Sequence, residues 1–137
     1  MKKRAFIVVG LVLLASLVPI SHTLHVDVEV DVKPKIRTKA TMEEKARNKA
    51  LAIKFAKAGW GWDARERKCI VLLFTKESRF DHLAKNQQGS SAYGIAQMLK
   101  EKSKDPAVQI LRAYRYIEHR YDTPCRAWKH SQRRNWY

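Results

Sequence analysis

Glu77-Ser78 closes an apolar run with helical spacing, and Ser90-Ser-Ala-Tyr-Gly-Ile-Ala-Gln97 follows close behind. A carboxyl group in that setting has the makings of a general acid for sugar cleavage. Stepping by three and four from Cys69 through Leu72 and Leu73 leads to Lys76 and Glu77, so a helix here carries Glu77 on the stripe of Cys69 and Leu73. A carboxyl held against apolar groups loses solvation when it ionises, so its pKa rises. It then keeps, near neutral pH, the proton that a general acid must give up. The ordinary reading of a glutamate in a last helical turn is a solvated or ion-paired side chain, with Lys76 and Arg79 as ready partners. The surrounding elements decide between the two.

Three helices are predicted around this residue, giving a mainly α domain. Thr41 and Glu44 have capping-box spacing, and Leu51, Phe55 and Ala58 share a face until Gly59 stops the run. Trp60-Gly61-Trp62 makes a turn. Asp63 and Glu66 form a second capping pattern ahead of Cys69 to Phe74, which is apolar almost all round and reads as the central helix. Residues 80–91 are polar, contain Gly89, and read as a loop. Asp105-Pro106 starts the third helix, with Ala107, Ile110, Leu111, Tyr114, Ile117 and Tyr121 on one face and Asp122-Thr-Pro124 as its end. Residues 125–137 are aromatic and basic, with room for about one helical turn of 3.6 residues.

The first forty residues differ in kind. Lys2, Lys3 and Arg4 precede an apolar stretch from Ala5 to Ile20, the pattern of an export signal or, left uncleaved, a signal anchor; residues 1–23 are assigned to it. As a helix the stretch would reach roughly 24 Å, short of a hydrocarbon core of about 30 Å. Residues 24–40 read as an extended linker, first acidic and then basic. Leu24 to Val32 alternates like a strand, with Asp27, Glu29 and Asp31 on its polar side, and Pro34 interrupts the basic part. The compact domain is assigned to residues 41–137.

Export bears on the two cysteines and on the charge. An oxidising compartment permits a bridge between Cys69 and Cys125, and two independent thiols are the alternative. No CxxC or Cys/His cluster points to zinc. The formal net charge is +15, and because the first three cations are offset by Asp27, Glu29 and Asp31, the whole excess lies from Lys33 onward. Such a surface seeks polyanions. For an exported protein these are anionic cell-wall polymers and lipid before nucleic acid, with membrane attachment through residues 5–20 as a further option.

Read together, Glu77-Ser78, Gly94-Ile95-Ala96-Gln97 and Ala127-Trp128-Lys129-His130 resemble the motifs of the lysozyme-like lytic murein transglycosylases. The resemblance spans residues 60–137. It is closest to small exported or phage-borne members, in which a cysteine precedes the catalytic segment and a Pro-Cys-x-Ala-Trp-x-His stretch lies near the end, here Cys69 and Pro124 to His130. The resemblance implies a small helical domain with a glycan groove, acting as a monomer on peptidoglycan in the cell envelope, outside the cell or on a virion. It implies no metal and no cofactor. Glu77 would be the catalytic residue, with Ser78, Asn86, Tyr93, Gly94, Ile95, Gln97, Trp128 and His130 binding substrate and Cys69 paired with Cys125.

Two departures from the family pattern matter. The third motif ordinarily presents a tyrosine to the glutamate, and Trp128 stands there instead, with Tyr114, Tyr116 or Tyr121 as replacements; Ala96 replaces a methionine or proline. A hydrolytic lysozyme is the nearest alternative and needs a second carboxylate, for which Asp81 is the nearby candidate. A noncatalytic basic binder of nucleic acid or membrane, using Trp60, Trp62, Trp128 and Trp136 among the cations, is the alternative from another class.

Overall fold

The computed structural model describes residues 36–137, within a compact unit of Lys35–Tyr137. The signal or anchor segment, and the linker up to residue 35, lie outside the described residues. Four helices and one small hairpin make up a mainly helical domain.

Helix α1, Met42–Trp60, starts at a complete capping box: Thr41 Oγ1 accepts from the Glu44 N–H at 3.1 Å, and Glu44 accepts from the Thr41 N–H at 2.7 Å. Arg37 grips the same carboxylate with both guanidinium nitrogens. The Thr41 backbone bond first, and Arg37 second, hold Glu44 down at about 2. The helix runs through Gly59 and stops two residues later, at Gly61, whose φ of 62° is the left-handed turn a glycine adopts without strain. Its buried face is Asn48, Ala52 and Ala56, with Leu51 and Phe55 beside it and Ala58 exposed. Small side chains win this face because α1 is approached closely: the Ala52 carbonyl accepts from the buried Tyr114 hydroxyl at 2.7 Å.

Helix α2, Ala64–Ser78, is capped by Asp63, which accepts from the Glu66 N–H at 2.8 Å. Ile70, Leu73 and Phe74 are fully buried while Leu72 is 38% exposed, so the helix is apolar on one side rather than all round. Two successive left-handed residues, Arg79 (φ 55°) and Phe80 (φ 62°), end it abruptly. Positive φ in a bulky residue costs on the order of 1–3 kcal/mol, and burial of the Phe80 ring against Phe74 offsets it.

Helix α3, Pro106–Tyr121, begins at the Asp105 cap and buries Ile110, Ala113, Tyr114 and Ile117. Tyr114 lies within 6.0 Å of Trp60, Trp62 and Phe74, centring an aromatic cluster. Helix α4, Pro124–Arg134, spans three turns where the sequence reading allowed one. Its inward residues, Ala127 and Ser131, are too small to register as an apolar stripe, and its support comes from α2. Glu66, instead of closing its own capping box, accepts from the Cys125 N–H at 2.7 Å, and Lys76 donates to Ser131 O at 2.7 Å and Oγ at 3.0 Å. The Cys69–Cys125 disulfide, with Cα atoms 5.0 Å apart, locks the same two helices together.

Between α2 and α3 a two-stranded hairpin forms, β1 (Ala92–Tyr93) antiparallel to β2 (Met98–Leu99), with Lys85 bridging Tyr93 on the other side. The sequence reading had no strand here, because two residues per strand carry no alternation to detect.

Candidate active site

The end of α2, the hairpin and the C-terminal segment after α4 enclose a cleft of about 520 Å³. Glu77 lies in its wall with Asn86, Gln97, Tyr116, Arg120 and Tyr137. Glu77 is the only acidic residue among the described residues lining the cleft. The two cations beside it in sequence do not neutralise it: Lys76 is turned to α4, and among the described residues no ion pair involves Glu77. Burial raises the Glu77 pKa, opposed weakly by Lys76. Burial thus shifts the carboxyl towards its protonated form at a surface open to ligand.

Ser78 fixes the direction of this helix end. Its hydroxyl donates to Ile95 O at 2.7 Å and accepts from the Asp81 N–H at 3.1 Å, joining α2 to the hairpin turn. Gly94 is the point of closest approach: at φ 79°, a Cβ built there would sit 2.3 Å from Gln109 Oε1. Gln109 is 2% exposed, and its amide holds three strands of chain at once. It accepts from the Ile95 N–H at 2.9 Å and donates to His82 O at 2.9 Å and Ser103 O at 2.7 Å. Gln97, at φ 48°, donates to Ala84 O and Gly94 O, so it braces the hairpin while lining the cleft. Asn86 Oδ1 accepts from the Gln88 N–H at 2.7 Å and Ser90 Oγ from the Ala92 N–H at 3.1 Å, both in loop turns at the cleft edge.

The structure therefore gathers Glu77, Asn86 and Gln97 at one cleft, with Ser78, Gly94 and the fully buried Ile95 as the frame beneath. Tyr93 lies outside the cleft wall, in an adjoining depression with Lys85 and Glu101 that shares Asn86, Ser90 and Ala92 with the cleft. Trp128 is packed against the core, and His130 lines a groove between α3 and α4, so neither is in the cleft wall. Asp81 is buried and committed elsewhere: it accepts from the Ala40 and Leu83 N–H groups and pairs with Lys45 at 3.3 Å. Of the replacement tyrosines, Tyr114 is spent on Ala52, while Tyr116 reaches the cleft.

Arg120, Trp136 and Tyr137 are cleft residues that the motif reading did not name. Tyr137 donates to Ala96 O at 2.8 Å and so fastens the C-terminal segment to the hairpin. Burial, then the nearby Glu77 charge, pushes its hydroxyl well above the ordinary phenol range. Arg120 comes from the last turn of α3, while only the three-turn length of α4 brings Trp136 and Tyr137 round to Glu77, and no local pattern announces it.

Among the described residues no group of three His, Cys, Asp or Glu side chains is arranged to hold a metal, and no helix is long and apolar enough to cross a membrane. Comparison with protein-family models, with curated proteins and with solved structures finds no match for this chain.

Proposed function

We propose that the protein cleaves the MurNAc-GlcNAc bond of peptidoglycan by intramolecular transglycosylation, with Glu77 as the single general acid and base. The observation that carries this reading is an unpaired glutamate, held towards its protonated form by burial, in a cleft with Asn86 and Gln97 and no second carboxylate among the described residues. Protonated Glu77 gives its proton to the bridging oxygen, which leaves as the 4-hydroxyl of GlcNAc, and the oxocarbenium-like centre at muramyl C1 is supported by the substrate's own acetamido group. The resulting carboxylate takes the proton of the muramyl 6-hydroxyl as that oxygen bonds to C1. A 1,6-anhydro ring forms, no water is consumed, and Glu77 returns to its starting state. A hydrolytic route is less well supported because Asp81 is buried in contacts to Ala40, Leu83 and Lys45.

Mass spectrometry of muropeptides released from purified sacculi tests this directly. Anhydro ends are expected with wild type, and a loss of about 10³-fold with Glu77→Gln, the middle of the range for removing a general acid. Reducing ends would transfer the reading to a hydrolase. Lysis undiminished in Glu77→Gln would show that basic charge, rather than a carboxyl, carries the effect.

A further inference from the structure

A second concavity, larger than the cleft at about 710 Å³, lies between the C-terminal half of α3 and the outer face of α4. Its rim is cationic. Arg120, Lys129 and Arg133 line it beside His119, and none of these three cations is in an ion pair among the described residues, whereas Arg126 is neutralised by Asp122 at 2.9 Å. Glu118, the other acid in the lining, accepts from the Trp60 indole N–H at 3.3 Å. Tyr121 and His130 line it too, with their rings packed together at a centre-to-centre distance of 5.2 Å.

This groove and the Glu77 cleft share Arg120. The guanidinium lies 5.2 to 5.9 Å from the ring centres of Trp136, Tyr121 and Tyr116, a stack that holds it in place without neutralising its charge. A ligand lying along the cleft therefore meets, across Arg120, a groove lined by the unpaired cations Lys129 and Arg133.

We infer that the groove between α3 and α4 is an anion-binding subsite for the carboxylates of the peptide stem, the acidic peptide attached to the muramic acid of the strand held in the cleft. The inference rests on the proposed peptidoglycan substrate. Continuity through Arg120 favours the stem over a free phosphodiester polymer, because the stem alone is covalently tied to the sugar beside the scissile bond. Arg120 and Arg133 can each meet a carboxylate with two parallel N–H bonds, and Lys129 adds a point charge.

The test compares glycan strands bearing stems with strands stripped of them, using wild type, Lys129→Ala/Arg133→Ala and Arg133→Lys. Wild type is expected to prefer stem-bearing strands in kcat/KM by about tenfold, the worth of one charged contact. The double variant should lose that preference while keeping its rate on stripped strands within about twofold, and Arg133→Lys, which keeps the charge but not the paired N–H bonds, should fall between the two. Equal wild-type rates on both strands, or equal slowing of both by the double variant, would overturn the proposal. A second measurement does not depend on catalysis: isolated stem peptide is titrated into wild type while the NMR signals of His119, Lys129 and Arg133 are followed. Saturable shifts support the subsite, and their absence, or shifts produced by a teichoic-acid phosphodiester and not by the peptide, overturn it. If no strand is cut at all, the cleavage reading fails, and the titration still decides the groove.

Discussion

The two ends of α2 have opposite characters. At its start, Cys69 is bonded to Cys125, Glu66 caps α4, and Trp60 and Trp62 pack edge against face with Tyr114. There a polar group buried at the core, the Tyr114 hydroxyl, has its partner. At its finish, the chain adopts positive φ at Arg79, Phe80, Gly94, Gln97 and Lys100, and Glu77, half-buried, has no ion pair among the described residues to stabilise its charge. One end supplies stability and the other uses it. Strained backbone and an under-solvated carboxyl persist only where the surrounding fold over-determines them, which makes the cleft end the candidate for chemistry on physical grounds alone.

Removing the covalent tie gives the widest separation of the two ends. Cys69→Ser/Cys125→Ser reopens a loop with a sequence separation of 56, and should lower unfolding free energy by about 4 kcal/mol in the chain-entropy picture. Turnover well below the melting temperature should stay within about threefold, since nothing at the cleft is altered; a urea melt and a rate on the same preparation check both. A collapse of turnover in fully folded variant would mean that the α2–α4 junction also shapes the cleft.

Gly94→Ala acts in the other region and should touch both properties. The new Cβ meets a Gln109 side chain pinned by three hydrogen bonds, and a left-handed φ is imposed on alanine. A destabilisation of about 3 kcal/mol follows, together with a large loss of turnover as Ile95 and its bond to Ser78 shift. Unchanged turnover would separate the hairpin from the positioning of Glu77.

The smallest effect is the most diagnostic of strain at the site. The Glu77 pKa is raised by burial, so the folded state prefers the neutral acid, and the associated stability is present below the ordinary carboxylate range and is lost as pH rises through the raised value. Glu77→Gln should therefore match wild type in a melt at about pH 4 and exceed it modestly at about pH 7.5. Parallel curves at both pH values would mean that the carboxyl is well solvated and is no general acid by burial.

Cap residues were legible because their signals are local. Thr41 with Glu44, Asp63, and Asp105 with Pro106 each start a helix where the spacing puts it. The apolar face of α3 was legible for the same reason. Gly59 misled, since a glycine inside a helix and one ending it look alike until the backbone shows which takes the left-handed turn, and that is Gly61. Helix α4 was underestimated because its stability is borrowed from Glu66, Lys76 and Cys69 of another helix.

By itself, the amino-acid sequence determined the helix starts, the position of Glu77 at the end of an apolar run, the two cysteines and a cationic surface, all properties of residues near one another in the chain or of composition. Tertiary structure alone decided that Lys76 turns away from Glu77, that Asp81 is buried in contacts to Ala40 and Lys45, and that Arg120 and Tyr137 face the same cleft. Those outcomes depend on which of several possible partners each charge meets, and that choice is made by packing between segments 40 to 60 residues apart, for example Ala40 on Asp81 and Tyr137 on Ala96. No local pattern encodes it.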